Sequence, residues 1–105
     1  MIYLLNTPIL TEYGGYVFSK IKIAEAKAFL SNDGFISAVG HQGTADLLSR
    51  ILEIKIPANR VSIKMAKGDV AIVFRLLQRL PEGTVLSEQE LAKLDYEFGM
   101  LEKVE

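Results

Sequence analysis

Apolar positions along this chain follow two periods, and the change between them divides it into elements. IYLLN (2–6) is a short apolar run closed by Asn6 and Pro8, the form of a buried strand. TEYGGY (11–16), with Gly14 and Gly15, predicts a turn, and the alternating YVFSKIKI (16–23) predicts a second strand. AEAKAFL (24–30) consists of good helix formers and stops before Asn32, Asp33 and Gly34, which predicts a short helix. FISAV (35–39) predicts a third strand. From Thr44 the period lengthens. Leu47, Leu48, Ile51 and Leu52 recur at helical spacing, with Asp46, Ser49, Arg50 and Glu53 on the other side. Thr44 is the expected N-cap, Asp46 falls in the first turn, and Pro57 is the expected stop.

VSIKM (61–65) returns to period two, with Val61, Ile63 and Met65 inward. AKGD (66–69) predicts a turn, VAIVFRLLQRL (70–80) a long strand, and PEG (81–83) another turn. SEQE (87–90) has the spacing of a capping box ahead of a short helix, LAKLDYE (91–97), and FGMLEKV (98–104) is expected to return as an edge strand. Five or six strands and three helices, mixed and not strictly alternating, predict an α/β (α+β) fold. It would have a single mixed central sheet of about five strands with helices packed on it.

Size and charge narrow the function classes. A chain of 105 residues is expected to form one domain, 1–105, with a real but limited core. A net charge of −1 argues against a basic nucleic-acid coat or a polybasic membrane module, but leaves room for a local anion site. With no cysteine and one histidine, disulfides, thiolate catalysis and a protein-cage zinc site are not expected. The N-terminus lacks a basic start and carries Glu12, so no secretory leader is expected, and no apolar run approaches the roughly 18 residues of a membrane span. A cytoplasmic protein is the expectation.

The single histidine is the first candidate for chemistry. His41 lies between Gly40 and Gly43, where a strand-like run meets a helical one. A helix N-terminus presents unpaired N–H groups and partial positive charge, which suit a phosphate. Glycines would let the backbone approach such a ligand closely. A histidine beside a phosphate is favoured in its charged form and can then donate a proton. The alternative is that His41 only caps or packs a loop. Arg75 and Arg79 come next: four apart in an apolar strand, they share a face and should meet an acid, a polar cavity or a ligand. Arg60 stands at the head of another strand, and each arginine could equally serve a structural ion pair. Glu82, three residues after Arg79, and Asn6, at a strand end, are candidates whose alternative is ordinary turn polarity.

SAVGHQGTADLLSRIL, NRVSIKM and LLQRLPEGTVLSEQEL occur here in an order and spacing similar to one family. The sequence resembles the small anti-CRISPR ring nucleases of archaeal viruses and their bacterial and phage relatives, over nearly its whole length. The resemblance implies a homodimer that binds cyclic tetra-adenylate across its two-fold axis. It implies cleavage without metal or cofactor to linear di-adenylate with a 2′,3′-cyclic phosphate, damping type III CRISPR signalling. His41 would be the general acid, Arg79 would hold the scissile phosphate, and Glu82 would orient or tune His41. Asn6, Thr7, Gly40, Gln42, Gly43, Thr44 and Arg60 would contact the ligand. In the first turn the family's NAFS is NTPI here, which leaves Thr7 to supply a hydroxyl. No DNA or membrane partner is implied. A competing reading is a dimer that binds cyclic oligoadenylate or another nucleic acid without cutting it. Another is a protein whose dimer interface is its only function.

Overall fold

A computed structural model describes residues 1–7, 12–32, 34–77 and 87–105. In chain order the elements are β1 (Ile2–Leu5), β2 (Tyr16–Ile21), α1 (Ile23–Asn32), β3 (Ile36–Ser37), α2 (Gln42–Leu52), β4 (Val70–Leu76), α3 (Glu88–Ala92) and β5 (Tyr96–Lys103). The strands form one mixed sheet in the order β2-β5-β4-β1-β3. β3, β1 and β4 are parallel, with Tyr3 opposite Ile36 and Leu5 opposite Val73. β5 runs antiparallel between β4 and β2, placing Arg75 opposite Glu97 and Ile21 opposite Phe98. This is the fold class expected from the pattern.

Strand alternation sends alternate side chains to two cores. Leu4, Ile72, Phe74 and Phe98 face the helices and pack with Ala26 and Leu30 of α1 and with Ala45, Leu48 and Leu52 of α2. The Phe74 ring lies 5.5 Å from Phe98 and 5.7 Å from Tyr96, centroid to centroid. On the other face Leu5, Ala71, Val73 and Leu101 are covered by Ile63 and Met65. β4 is therefore apolar without interruption from Val70 to Phe74, because it is buried on both sides.

Several elements differ from the expected ones. FISAV yields only two strand residues, because the partner β1 is itself only four residues long. VSIKM is extended but forms no strand. Its alternation arises because the segment lies on the sheet face with Ile63 and Met65 inward, while Val61 is exposed. α2 begins before Thr44, with His41 as N-cap, and this brings Ala45 into the buried stripe with Leu48 and Leu52. It ends at Leu52, where Glu53 adopts a left-handed conformation, five positions ahead of Pro57. The capping box at Ser87 and Glu90 is present, but the helix it opens is Glu88–Ala92 and not 91–97, since Tyr96 and Glu97 are claimed by pairing with β4. β5 is interior rather than an edge, and Gly99 lets it sit beneath the Phe18 ring of β2. The last part of the expected 70–80 strand and the PEG turn lie outside the described residues.

Candidate functional site

The three parallel strands all point their carboxyl ends to one edge of the sheet, the usual place for a ligand in sheets of this kind. Asn6 and Thr7 leave β1 there, Asn6 half-buried and Thr7 exposed. The connection out of β3 runs beside them, since the Ala38 N–H donates to the Leu4 carbonyl at 2.9 Å. Two residues further along each chain stand Asn6 and Gly40.

His41 follows with extended backbone (φ −115°, ψ 130°) and caps α2 by position only, because its side chain makes no cap hydrogen bond. The carbonyl of His41 accepts the first bond of the helix, from Ala45 N–H at 3.0 Å. The imidazole is exposed, as are Gln42 and Gly43. A side chain at Gly43 would enter open space. Gln42 donates through Nε2 to Asp46 Oδ1 at 2.7 Å, one helical turn on. Thr44 is half-buried inside the helix and is not the cap.

Arg60 joins this group from the segment after Pro57. Its Cβ, Cγ and Nε each stand 3.6 Å from where a Cβ on Gly40 would sit. The guanidinium is on an exposed residue, and no carboxylate among the described residues forms an ion pair with it. Half-buried Gly40 and exposed His41 and Arg60 thus form one patch at the start of an 11-residue helix. Backbone N–H groups, an imidazole and a guanidinium together can hold an anion and deliver a proton to it.

Arg75 belongs elsewhere. It is bonded at 2.5 Å to Glu97 directly across the β4–β5 pair, and Lys20 reaches the same carboxylate at 3.6 Å. By strand alternation this cluster lies on the face away from α2, so Arg75 meets an acid, the structural alternative open to it. Arg79 and Glu82 lie outside the described residues.

Pattern reading missed Ser37 and Asn59, which join the 57–59 segment to the β3–α2 connection through hydrogen bonds. The signal for Ser37 was a hydroxyl at an inward position of an apolar run. Asp46, the partner of Gln42, was expected in the first turn, but because α2 starts at Gln42 it lies one turn further on.

Two shallow clefts lie away from the patch. One, of about 490 Å³, is lined by Lys20 to Ala24 with Tyr96 to Phe98. The other, of about 450 Å³, is lined by Met1, Ile2 and Gly34 to Ile36. Among the described residues no helix is long and apolar enough to cross a membrane.

The family model of STIV B116-like proteins matches residues 2–98. The chain belongs to the STIV B116-like family. Uncharacterized protein 26 of Sulfolobus islandicus filamentous virus (isolate Iceland/Hveragerdi) is 39% identical over 99% of this chain and 92% of its own length. YddF of Bacillus subtilis (strain 168) is 36% identical over 96% of this chain and 95% of its own length. Among solved structures, B116 of Sulfolobus turreted icosahedral virus superposes with a TM-score of 0.82 at 26% identity, covering 96% of this chain and 97% of that one. STIV B116-like proteins thus occur in archaeal viruses and in a bacterium, and the mixed sheet with helices described here is the fold of B116 itself.

Proposed function

We propose that the chain is a metal-independent ring nuclease that cuts cyclic tetra-adenylate and so damps type III CRISPR signalling. The observation that carries this reading is His41. Its exposed imidazole stands at the head of an 11-residue helix, makes no cap bond, and follows a glycine against which an arginine lies. A histidine there contributes nothing to the cap or the core, whereas it is well placed for a phosphodiester seated on the helix N-terminus.

In the proposed reaction the substrate supplies its own nucleophile. A ribose 2′-oxygen attacks the adjacent phosphorus and its proton passes to solvent. The bond from phosphorus to the 5′-oxygen breaks, and the departing oxygen takes a proton from His41. Arg60 and the N–H groups of α2 offset the charge that gathers on the phosphate. By the resemblance, Arg79 would hold the scissile phosphate and Glu82 would orient or tune His41. The products are linear di-adenylates ending in 2′,3′-cyclic phosphate.

His41, Gln42, Gly43 and Arg60 are all exposed on one chain. A second copy would enclose them and present two histidines to a two-fold ring, which favours a homodimer as the working form. Such an enzyme would act in the cytoplasm of the cell that makes the messenger.

The test is incubation with cyclic tetra-adenylate in EDTA, beside His41→Ala, with products followed by chromatography. Cleavage to di-adenylate by the wild-type protein alone supports the reading. Tight binding with no cleavage by either protein replaces it with a sequestering dimer, and neither binding nor cleavage removes both.

A further inference from the structure

We propose that Ser37 and Asn59 are positioning residues that hold Arg60 for the ligand, a role that rests on the ring-nuclease reading above. Ser37, the last residue of β3, is only 4% exposed although polar. Its hydroxyl donates to the Pro57 carbonyl at 2.7 Å and receives the Val39 N–H at 3.4 Å. Asn59 Nδ2 donates to the Ser37 carbonyl at 2.7 Å, and the Asn59 backbone N–H donates to the Val39 carbonyl, also at 2.7 Å.

Three of these bonds tie the 57–59 segment to the connection that leads into Gly40 and His41. Ser37 and Asn59 each bond to the segment that carries the other, so losing either side chain leaves a carbonyl without its donor. The clamp ends one residue before Arg60 and the strand side ends one residue before Gly40, and these two residues lie side by side. Arg60 therefore starts from a fixed backbone, and binding has only its side-chain torsions to order. His41 is held in addition by the pairing of β3 with β1 and by α2, whereas Arg60 lies in no helix or strand. The clamp should govern ligand capture more than proton transfer.

The experiment measures kcat and KM for cyclic tetra-adenylate in EDTA with wild type, Asn59→Asp, Ser37→Ala, Ser37→Thr, Arg60→Ala and the double variant Asn59→Asp with Arg60→Ala. Asn59→Asp keeps the size and removes the donor, while Ser37→Thr keeps the hydroxyl that Ser37→Ala removes. In parallel, the order of the Arg60 backbone N–H group is read by NMR in the ligand-free proteins. KM should rise about tenfold in Asn59→Asp and Ser37→Ala, with kcat within about threefold. Ser37→Thr should restore KM, and Asn59→Asp should add nothing in the Arg60→Ala background. An equal loss carried by kcat, or additive effects with Arg60→Ala, overturns the proposal. If Asn59→Asp fails to fold, the Ser37 pair gives the same answer. If wild type cuts nothing, the ring-nuclease reading fails, and the NMR still decides the clamp. Loss of Arg60 order in the variants supports it, and unchanged order overturns it.

Discussion

Arg60 lies beside Gly40, its Cβ, Cγ and Nε each 3.6 Å from the position that a Cβ there would take. That spacing accepts a methyl group without moving the arginine. Nor is Gly40 or Gly43 in the left-handed region, so neither glycine is required by its own backbone. At Gly43, inside the first turn of α2, a methyl would meet nothing at all. In a helix, alanine in place of glycine is worth roughly 0.5–1 kcal/mol. Gly43→Ala should therefore raise the unfolding free energy by up to about that amount, read by urea titration. If a phosphodiester lies on this turn, the same methyl occupies its place, and KM for cyclic tetra-adenylate should rise at least about fivefold. A variant that is more stable and binds as well as wild type would show that no ligand approaches the glycine.

What could be read from the pattern, and what could not, divides along physical lines. The apolar runs of β1 and β4 and the stripe Leu47, Leu48, Leu52 were legible because burial on a sheet or helix imposes a period. The Ser87 and Glu90 capping box was legible because its spacing is local. The segment 61–65 had the right period and the wrong partner: lying across a sheet face gives the same alternation as pairing at its edge. The interior place of β5 depends on which strands meet, and no local pattern encodes that. At the site, Gly40 and His41 stood out by residue type. That Arg60, some twenty positions away, lies beside Gly40 had no signal of its own, because hydrogen bonds between segments distant in the chain leave no local pattern.

Lys103 is buried although it is charged. It is 6% exposed, with its ammonium 4.8 Å from the centroid of the Tyr16 ring. Nζ donates to the Tyr13 carbonyl at 2.6 Å and to the Glu105 carbonyl. Charge-assisted bonds of this kind contribute roughly 1.5–3 kcal/mol. Lys103→Met should cost about 2 kcal/mol of stability in denaturant unfolding. β5 is antiparallel to β4, so Lys103 lies at the end of the sheet opposite His41. Cleavage at a temperature where the variant is folded should be unchanged. A large loss of activity without loss of stability would contradict this placement.

The capping box makes α3 sensitive to acid. The Ser87 backbone N–H donates to the Glu90 carboxylate at 3.1 Å, and the Ser87 hydroxyl accepts from the Glu90 N–H at 3.2 Å. The bond from the Ser87 backbone holds the Glu90 carboxyl below its ordinary value, with the Ser87 side chain adding to it. A carboxyl depressed in the folded state stabilises it above its unfolded pKa, and the contribution is lost as pH falls through the folded value. Protection of the α3 amides against exchange, relative to the unfolded chain at the same pH, should therefore fall below the ordinary carboxylate range. Glu90→Gln should remove that pH dependence, because glutamine does not titrate there. The Lys27 pair, at 2.7 Å, lowers the Glu53 carboxyl in the same way, so the Glu90→Gln protein keeps an acid-sensitive contact at the end of α2 and serves as its own control.

His41 offers the sharpest separation of stability from function. It holds the N-cap position of α2, yet its side chain caps nothing, so the N–H groups of the first turn have no side-chain acceptor from it. Serine at that position would accept one of them, and a good N-cap is worth roughly 1 kcal/mol. His41→Ser should raise the thermal midpoint by about 4 °C or more. The same change removes the proposed proton donor, and loss of a general acid costs roughly 10²–10⁴-fold in rate. Measured together, a higher midpoint and a rate down by those orders, with binding of cyclic tetra-adenylate largely kept, place His41 in the chemistry. A higher midpoint with undiminished cleavage would remove His41 from the mechanism and leave the acid to be found elsewhere in the chain.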